Sequence, residues 1–421
     1  MSDWYETRLG DIADICIGGT PSRAEPSYWV STGEEGFPWV SISDLKGRIV
    51  SNTAESITSL GARNSNVKLV PCGTIMMSFK LSLGRIAFAG RDIYTNEAIA
   101  SFEVDTDKID KTFLFYQLPE VVKLAITDTA IKGATLNKAK INELVIPHPE
   151  LVVQRKIAEI LSTIDNQIDA TQALIDKYTA IKQGMMADLF SRGIDPETKA
   201  LRPTFEEAPE LYYKTPLGIL PKGWDIAPFE QLSEVIDPNP SHRYPDSVSI
   251  DGVPIASTEN FEGTDGFNLV KSKLVPDSEF EKQFERCKYQ KDDVIFARKG
   301  RIGFARQYGD AKKVFSHTVV VMKAKAGVSP DFLLWLARST QYLEAIDFKM
   351  NSNSGVPTLG VDVIKRVRVA VPSVEEQQDI AKCLNQINKK IHTELAFLAK
   401  TKAQKSGLMQ DLLTGKVPVA A

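Results

Sequence analysis

The hydrophobic positions of the chain repeat at helical spacing in two long stretches, 154–193 and 377–416. In both, isoleucine and leucine recur at steps of three and four residues, the rhythm of a helix that faces another helix. Neither stretch contains proline. We therefore predict two long helices that pack as an antiparallel coiled coil. The predicted seam residues are Ile157, Leu161, Ile164, Ile168, Ile175, Ile380, Leu384, Ile387, Ile391 and Leu398.

A different pattern precedes each predicted helix. Short apolar runs such as 37–42 and 73–79 are bounded by Gly and Pro, which is typical of strands, and shorter helices are indicated near 113–124 and 137–144. The pattern begins again after residue 223, with Trp224 in the place of Trp4. This repetition indicates that one unit, a globular domain plus a helix, occurs twice in the chain.

The predicted fold class is therefore α+β, with two similar globular domains separated by two long antiparallel coiled-coil helices in a pseudo-twofold repeat. Two similar but unequal domains, held apart by the helices, suit a linear partner with two unlike marks, such as duplex DNA. The predicted segments are a first domain at 1–150, a helix at 151–193, a connector at 194–222, a second domain at 223–373 and a helix at 374–416.

Composition and charge indicate a protein of more than one domain but do not identify its binding partner. The 421 residues exceed one ordinary core, and 51 Lys and Arg against 54 Asp and Glu give a net charge of −3. Nucleic-acid binding would need a local basic face. The four cysteines form no CxxC pair, and no signal peptide or run of eighteen apolar residues is evident. We expect a reduced, cytoplasmic protein with no membrane segment.

Several motifs occur at matching places in the two halves. The run Gly-Arg-Ile-x-Phe occurs at 84–88 and 300–304, and a Thr-Leu pair occurs at 135–136 and 358–359. A proline exit then leads to Gln-x-x-Ile-Ala-x-x-Leu at the start of each long helix, and Leu-Pro-Lys-Gly-Trp opens the second domain. Over essentially the whole chain, this pattern resembles the specificity subunit of type I restriction-modification systems. The first helix departs from it, with Leu151-Val152-Val153 where acidic residues are usual.

The resemblance implies a non-catalytic subunit that binds double-stranded DNA. Each globular domain would be a target recognition domain for one half of a bipartite asymmetric site. The helices would space the domains and dock two methyltransferase subunits, which a nuclease-translocase subunit joins. S-adenosylmethionine, ATP and Mg²⁺ would then bind the partner subunits, and no cofactor is expected on this chain. Candidate docking residues at the helix ends are Met185, Met186, Leu408 and Met409.

Basic, amide and hydroxyl side chains on the loops between strands are the candidates for DNA contact. The cluster 298–301 is the strongest, because three cations around one turn need an anionic partner. The competing explanation for Arg85 and Arg301 is an ion pair that holds the shared fold. The candidates are Ser22, Arg23, Lys80, Arg85, Asn96, Ser241, Arg243, Arg298, Lys299 and Arg301.

Two rival functions remain open from the sequence. One is a coiled-coil adaptor whose domains bind protein. The other is a self-sufficient restriction endonuclease, for which Asp331, Asp347 and Lys349 formally match a Mg²⁺ site, although the residues between them repeat at helical spacing. The four histidines are dispersed, and the sequence predicts no metal site. No methyltransferase run of Asn or Asp, two prolines and an aromatic residue occurs, and no complete phosphate-binding G-x-x-x-x-G-K-[ST] loop occurs.

Overall fold

The computed structural model describes residues 4–31, 35–127, 136–347 and 358–419. The chain divides into two compact units: unit 1 is 1–173 with 396–421, and unit 2 is 174–395. Each unit holds one globular domain together with part of each long helix. This division differs from the sequence segments, which treat domains and helices separately.

Unit 1 contains eleven strands among its described residues. They are β1 (Tyr5–Arg8), β2 (Ala13–Ile17), β3 (Phe37–Val40), β4 (Ile49–Val50), β5 (Glu55–Ile57), β6 (Leu69–Val70), β7 (Ile75–Ser78), β8 (Ile86–Ala89), β9 (Ile93–Thr95), β10 (Ile99–Val104) and β11 (Val145–His148). Its helices are α1 (Leu9–Ile12), α2 (Ser59–Arg63), α3 (Lys111–Thr127), α4 (Lys138–Asn142) and the first part of α5 (Leu151–Ser191).

These strands form three sheets, with orders β2-β10-β7-β8-β4, β5-β3-β9-β6 and β1-β11. Strands β2, β10, β7 and β8 pair antiparallel, whereas β3 and β9 pair parallel. Helix α4 begins where the sequence indicated, because the Asn137 side chain accepts a hydrogen bond from the Lys140 amide and caps it.

Unit 2 repeats this plan. Its strands, and those of the connector, are β12 (Tyr212–Thr215), β13 (Gly218–Pro221), β14 (Asp225–Pro228), β15 (Ser233–Ile236), β16 (Val253–Ala256), β17 (Phe261–Glu262), β18 (Gly266–Phe267), β19 (Leu274–Val275), β20 (Val294–Ala297), β21 (Ala305–Gln307), β22 (Val314–Phe315), β23 (Val319–Ala324) and β24 (Arg368–Val371). The helices are α6 (Phe229–Leu232), α7 (Asp277–Cys287), α8 (Pro330–Ala337), α9 (Thr340–Asp347), α10 (Val361–Arg366) and α11 (Val374–Leu412).

The sheets of unit 2 match those of unit 1. The order β15-β23-β20-β21 corresponds to β2-β10-β7-β8, the pair β14-β24 to β1-β11, and the parallel pair β16-β22 to β3-β9. The mixed strand and helix content confirms the predicted α+β class.

The beginnings of the long helices pack on the domain cores. In unit 1, Ile157 and Leu161 join a buried cluster with Leu9 and Phe113, and Leu412 at the end of α11 joins the same cluster. In unit 2, Ile380 and Leu384 of α11 join the equivalent cluster, together with Leu189 and Phe190 at the end of α5. Burial of this apolar surface is the main favourable term in holding each domain to its helices.

Within each unit α5 and α11 also contact each other. In unit 1 Lys405 lies 2.7 Å from Asp165. In unit 2 Lys182 donates to Asn388 at 3.2 Å, and the Lys390 ammonium lies 5.8 Å from the Tyr178 ring, so the two helices run antiparallel there. Of the predicted seam, Ile164 and Ile168 are half-buried, and the other members are buried.

The connector is an ordered part of unit 2. It forms the β12-β13 hairpin, and its Arg202 makes a two-pronged ion pair with Glu376 in the first turn of α11, with N···O distances of 2.5 and 3.0 Å. Both side chains are buried, and Glu376 also accepts from the Ile194 amide at 2.9 Å. Unit 1 has apolar Val153 in the matching place on α5.

The alignment of Gly84-Arg85 with Gly300-Arg301 is wrong by three residues. Gly84 donates its amide to Ser78, the last residue of β7, and Gly303 donates its amide to Ala297, the last residue of β20. Both glycines have a positive φ, at 78° and 89°. Gly84 therefore corresponds to Gly303, and Arg85 and Arg301 do not occupy equivalent positions.

Candidate nucleic-acid interface

Three loops meet at one end of the five-stranded sheet β2-β10-β7-β8-β4 in unit 1. We name them A1 (residues 18–23), B1 (79–85) and C1 (95–98). The Gly19 amide in A1 donates to Thr95 in C1 at 2.9 Å, and the Phe79 amide in B1 donates to Ala98 in C1 at 3.0 Å. These loops bring together five of the sequence candidates, namely Ser22, Arg23, Lys80, Arg85 and Asn96.

Loops A1 and C1 are joined by a carboxylate. The Thr20 hydroxyl donates to Glu97, and this hydrogen bond holds the pKa of Glu97 below its usual value, with Lys80 and Arg23 adding in the same direction. The Arg23 guanidinium binds Glu55 with both prongs, at 2.5 and 2.9 Å, and lies 3.7 Å from the Trp29 ring. Arg23 is thus exposed, yet already fixed in position by an anion and an aromatic face.

The remaining candidates of unit 1 differ in their exposure to solvent and in their hydrogen bonds. Ser22 and Arg85 are exposed, and Lys80 is half-buried. The Asn96 side-chain oxygen accepts from the Ala98 amide at 3.0 Å. Asn96 therefore keeps its side-chain NH₂ as the group able to reach a base.

Loop B1 is a hairpin turn with an unusual residue at its tip. Leu81 is 91% exposed and has a φ of 59°, in the left-handed region. The turn is fixed by Ser78, whose hydroxyl donates to Ser82 and accepts from the Arg85 amide at 3.1 Å. The apolar tip is therefore held away from the core by a defined backbone.

The matching loops of unit 2 are A2 (residues 237–244), B2 (298–304) and C2 (316–318). Here three rings meet: His242 stacks on His317 with centroids 5.2 Å apart, and Tyr244 lies edge-on to His317 at 5.9 Å. Burial lowers the pKa of His317, and the neighbouring Lys299 and His242 add to the effect. His242 also has a left-handed φ, at 57°.

Arg298 is buried and engaged within unit 2, which removes one cation from the cluster 298–301, the strongest sequence candidate. It is 5% exposed, its Nη2 donates to Asp237 at 2.8 Å, and its Nε donates to the His317 carbonyl at 3.0 Å. The anionic partner of Arg298 is Asp237 of the chain itself. Arg298 thereby links loop B2 to loops A2 and C2.

The other candidates of unit 2 lie nearer the surface. Lys299 is half-buried, whereas Arg243 and Arg301 are exposed. Arg301 donates to the Phe261 carbonyl at 3.0 Å, which makes it a turn-holding residue that keeps further N–H groups. Ser241 donates to Asn239 at 2.8 Å.

Leu81, His242, Tyr244 and His317 lie in these loops but were not among the sequence candidates. His242 and His317 are far apart in the chain, so no motif spacing joins them. The only signal for Leu81 was its place beside Lys80, between the strand-like run 73–79 and Gly84.

The docking candidates are only partly exposed. Met185 and Met186 pack against the core of unit 2, and Leu408 and Met409 pack against the core of unit 1. Met409 also lines a cleft of about 1160 Å³ in unit 1, together with Trp4, Val145 and Lys402. Val145 is 45% exposed there.

The described residues contain no cluster of three or more His, Cys, Asp or Glu that could hold a metal ion. Asp331 accepts from Gln307 and Asn385, each at 2.9 Å, so each of its carboxylate oxygens already holds a side-chain amide of unit 2. Lys349 and Thr135 lie outside the described residues. Within the described chain, no helix combines the length and apolar character needed to span a membrane.

The comparison with known families agrees with this duplicated arrangement. The sequence model of the type I restriction modification DNA specificity domain matches residues 1–179 and again 248–398. The chain belongs to this specificity family. The resemblance seen in the motifs is confirmed, and so is the double occurrence of the domain.

Relatives of the chain are specificity subunits too. The chain is 22% identical to the type I restriction enzyme MjaVIII specificity subunit of Methanocaldococcus jannaschii, over 99% of this chain and 93% of the relative. It is 23% identical to the EcoBI specificity subunit of Escherichia coli, over 77% and 73% of the two chains.

A solved structure shares the fold at low sequence identity. The crystal structure of the type I restriction-modification S subunit from M. genitalium superimposes with a TM-score of 0.61 at 14% identity, over 100% of this chain and 97% of that one. Family and fold together make this chain a type I specificity subunit, a non-catalytic protein that recognises DNA sequence.

Proposed function

We propose that this specificity subunit reads a bipartite asymmetric DNA site, with one half-site for each unit. Loops A1, B1 and C1 read one half, and A2, B2 and C2 read the other. The observation that supports the proposal is the contrast between them: equivalent strands present the loops, but the side chains at their tips differ in charge and shape. A protein with two such surfaces is suited to two different base sequences.

The proposal assigns contacts within each half-site. In unit 1, Arg85, Lys80 and Ser22 contact phosphates or guanine edges, and the Asn96 NH₂ reaches a base acceptor. Arg23 contacts DNA with the N–H groups that do not bind Glu55. In unit 2, the contacts come from His242, Tyr244, His317, Ser241, Arg243, Lys299 and Arg301.

Partner subunits form the second part of the proposal. Two methyltransferase subunits dock on this chain, a nuclease-translocase joins them, and these partners bring S-adenosylmethionine, ATP and Mg²⁺. In unit 1 the Met409 cleft supports a docking site, because it combines partly exposed apolar side chains with Lys402 at its rim. Met185, Met186 and Leu408 lie at the corresponding helix ends and are proposed as a minor part of the docking surface.

An exchange of recognition domains tests whether each unit reads its own half-site. Residues 224–358 are replaced by the matching segment of a relative, and the host methylome is sequenced with the parent gene, with the exchanged gene and without either. We expect a gapped adenine-methylation motif that disappears with the gene and changes in one half only after the exchange. A change in both halves would contradict separate reading.

Two further outcomes distinguish the rival functions. DNA cleavage by the purified chain with Mg²⁺ alone would favour a self-sufficient endonuclease. Absence of any salt-sensitive, sequence-selective complex in gel shifts, with the chain alone or in its assembly, would favour an adaptor that binds protein.

The docking site is tested by charge insertion. Val145→Glu places a carboxylate in the Met409 cleft and should abolish co-purification with the methyltransferase subunit while leaving the thermal midpoint unchanged. The matched control is Val270→Glu, at a residue of unit 2 that is 92% exposed. Equal loss in both variants would show a general effect of charge and not a docking site.

A further inference from the structure

Leu81 combines two features that rarely occur together. Among described residues, five non-glycine positions have a clearly positive φ, namely Leu81, Lys199, His242, Asp251 and Lys288. Leu81 is the apolar member of this set, and it is almost fully exposed. A left-handed backbone is costly for leucine, and an exposed leucine gains nothing from burial. Folding does not explain why this side chain occupies the tip of B1.

The second unit shows what the fold itself requires at this position. Leu81 is the third residue after β7, and Gly300 is the third residue after β20. Gly300 also has a positive φ, at 75°. Glycine adopts this conformation without strain. The turn therefore needs a left-handed residue, and unit 1 uses leucine where the unstrained choice is glycine.

The surroundings of Leu81 indicate the kind of partner. Lys80 adjoins it, and exposed Arg85 lies at the end of the same turn. A two-stranded hairpin fits the major groove of B-DNA, where the thymine methyl group is the apolar feature of the base edges. One cation precedes the apolar tip in the chain and the other follows it, which suits a hairpin that meets phosphates where it enters such a groove.

We infer that Leu81 contacts a thymine methyl group in the half-site read by unit 1, and so determines one position of that half-site. This inference rests on the proposed function and names a residue that carries part of its specificity. The B1 hairpin enters the major groove, its tip packs on the methyl group, and Lys80 and Arg85 hold the flanking backbone. Gly300 gives unit 2 no such contact.

The test first identifies the half-site of unit 1, which is the half that survives the exchange of 224–358. Each thymine of that half-site is then replaced by uracil, which lacks only the 5-methyl group. Binding of the full-length chain, in the assembly that gives sequence-selective binding, is measured for each duplex. We expect one position at which uracil weakens binding about fourfold, the value of one buried methyl group.

Two variants separate recognition from folding. Leu81→Ala keeps the left-handed strain, whereas Leu81→Gly removes it. Both should lose the discrimination between thymine and uracil, while the Leu81→Gly thermal midpoint stays equal to that of the parent or rises. Val270→Ala, which shortens an equally exposed apolar residue in unit 2, should retain the full discrimination.

Several results would overturn the inference. They are a half-site without an A·T pair, equal binding to every thymine and uracil duplex, or intact discrimination in Leu81→Ala. Loss of subunit assembly in Leu81→Ala, with DNA discrimination unchanged, would assign the tip to a protein partner. A parent protein that shows no sequence selectivity at all would overturn the proposed function as well, whereas the other results leave that function intact.

Discussion

The two candidate interfaces use the same three loops but join them by different chemistry. In unit 1, the first residue after β2 is Gly18 and the first after β7 is buried Phe79. In unit 2, these positions hold Asp237 and Arg298, which form an ion pair. The loops of unit 1 are joined by close backbone approach and an apolar side chain. The loops of unit 2 are joined by a salt bridge. The strands fix where the loops lie, and the chain is free to change how the loops are joined and what they present.

The largest expected effect of this difference is in unit 2. Asp237→Ala would leave the buried Arg298 guanidinium without its carboxylate, which should lower the free energy of unfolding by about 3–5 kcal/mol. The double variant Asp237→Ala with Arg298→Met copies the apolar solution of unit 1 and should recover most of the loss. Chemical denaturation monitored by tryptophan fluorescence measures both. Equal losses in the two variants would show that the ion pair is not what joins the loops.

A smaller but still clear effect is expected in unit 1. A Cβ on Gly18 would lie 2.2 Å from the Thr95 carbonyl oxygen and 2.3 Å from the Asn96 carbonyl oxygen. Gly18→Ala must therefore push loops A1 and C1 apart, at a cost of about 1–3 kcal/mol. Gly47→Ala is the control, since its Cβ would meet no described atom within 4 Å. If both variants unfold at the parent midpoint, the close approach is not required.

The smallest expected difference concerns pH. Two residues before β10 lies Glu97, and two residues before β23 lies His317. The folded-state pKa of each is below its usual value, so each makes the folded state lose stability as the pH falls through the window between its unfolded and folded pKa. That window begins near pH 6.5 for His317 and near pH 4.5 for Glu97.

Unit 2 should therefore weaken first on acidification. The effect of His317 should be below about 1 kcal/mol, because the ring is only partly buried. Thermal midpoints of the parent and His317→Gln are compared from pH 7.5 to 5, and that of the parent should fall relative to that of the variant below pH 6.5. The same comparison with Glu97→Gln should show no change above pH 5. A parallel pH response of the parent and His317→Gln would mean that His317 does not contribute.

The repeating elements were the most predictable part of this protein. Seam residues such as Ile157 and Ile380 stand in a long periodic run, and repetition of the run disclosed the duplication. A short local element was also readable, since the helix indicated near 137–144 is found directly after its Asn137 cap. Such features depend on residues close in sequence, so the sequence carries them directly.

The site was less predictable, because its contacts join distant segments. Arg298 and Arg301 look alike in sequence, yet one is buried on Asp237 and the other is exposed. The mistaken pairing of Arg85 with Arg301 arose because the Gly-Arg-Ile run recurs three residues away from the turn glycine that has the structural role. Positive φ at Leu81 and ring stacking at His317 have no signature in composition or spacing.

The ion pair between Arg202 and Glu376 bears on how new target sequences could arise. One partner precedes the second recognition domain in the chain, and the other follows it. When both recombination crossovers fall between Arg202 and Glu376, the second recognition domain is replaced and Arg202 keeps its original partner Glu376. If the exchanged segment includes only one of these two residues, the other is left as a buried charge without its partner. Viable shuffling of the second domain should therefore keep both Arg202 and Glu376 or replace both together.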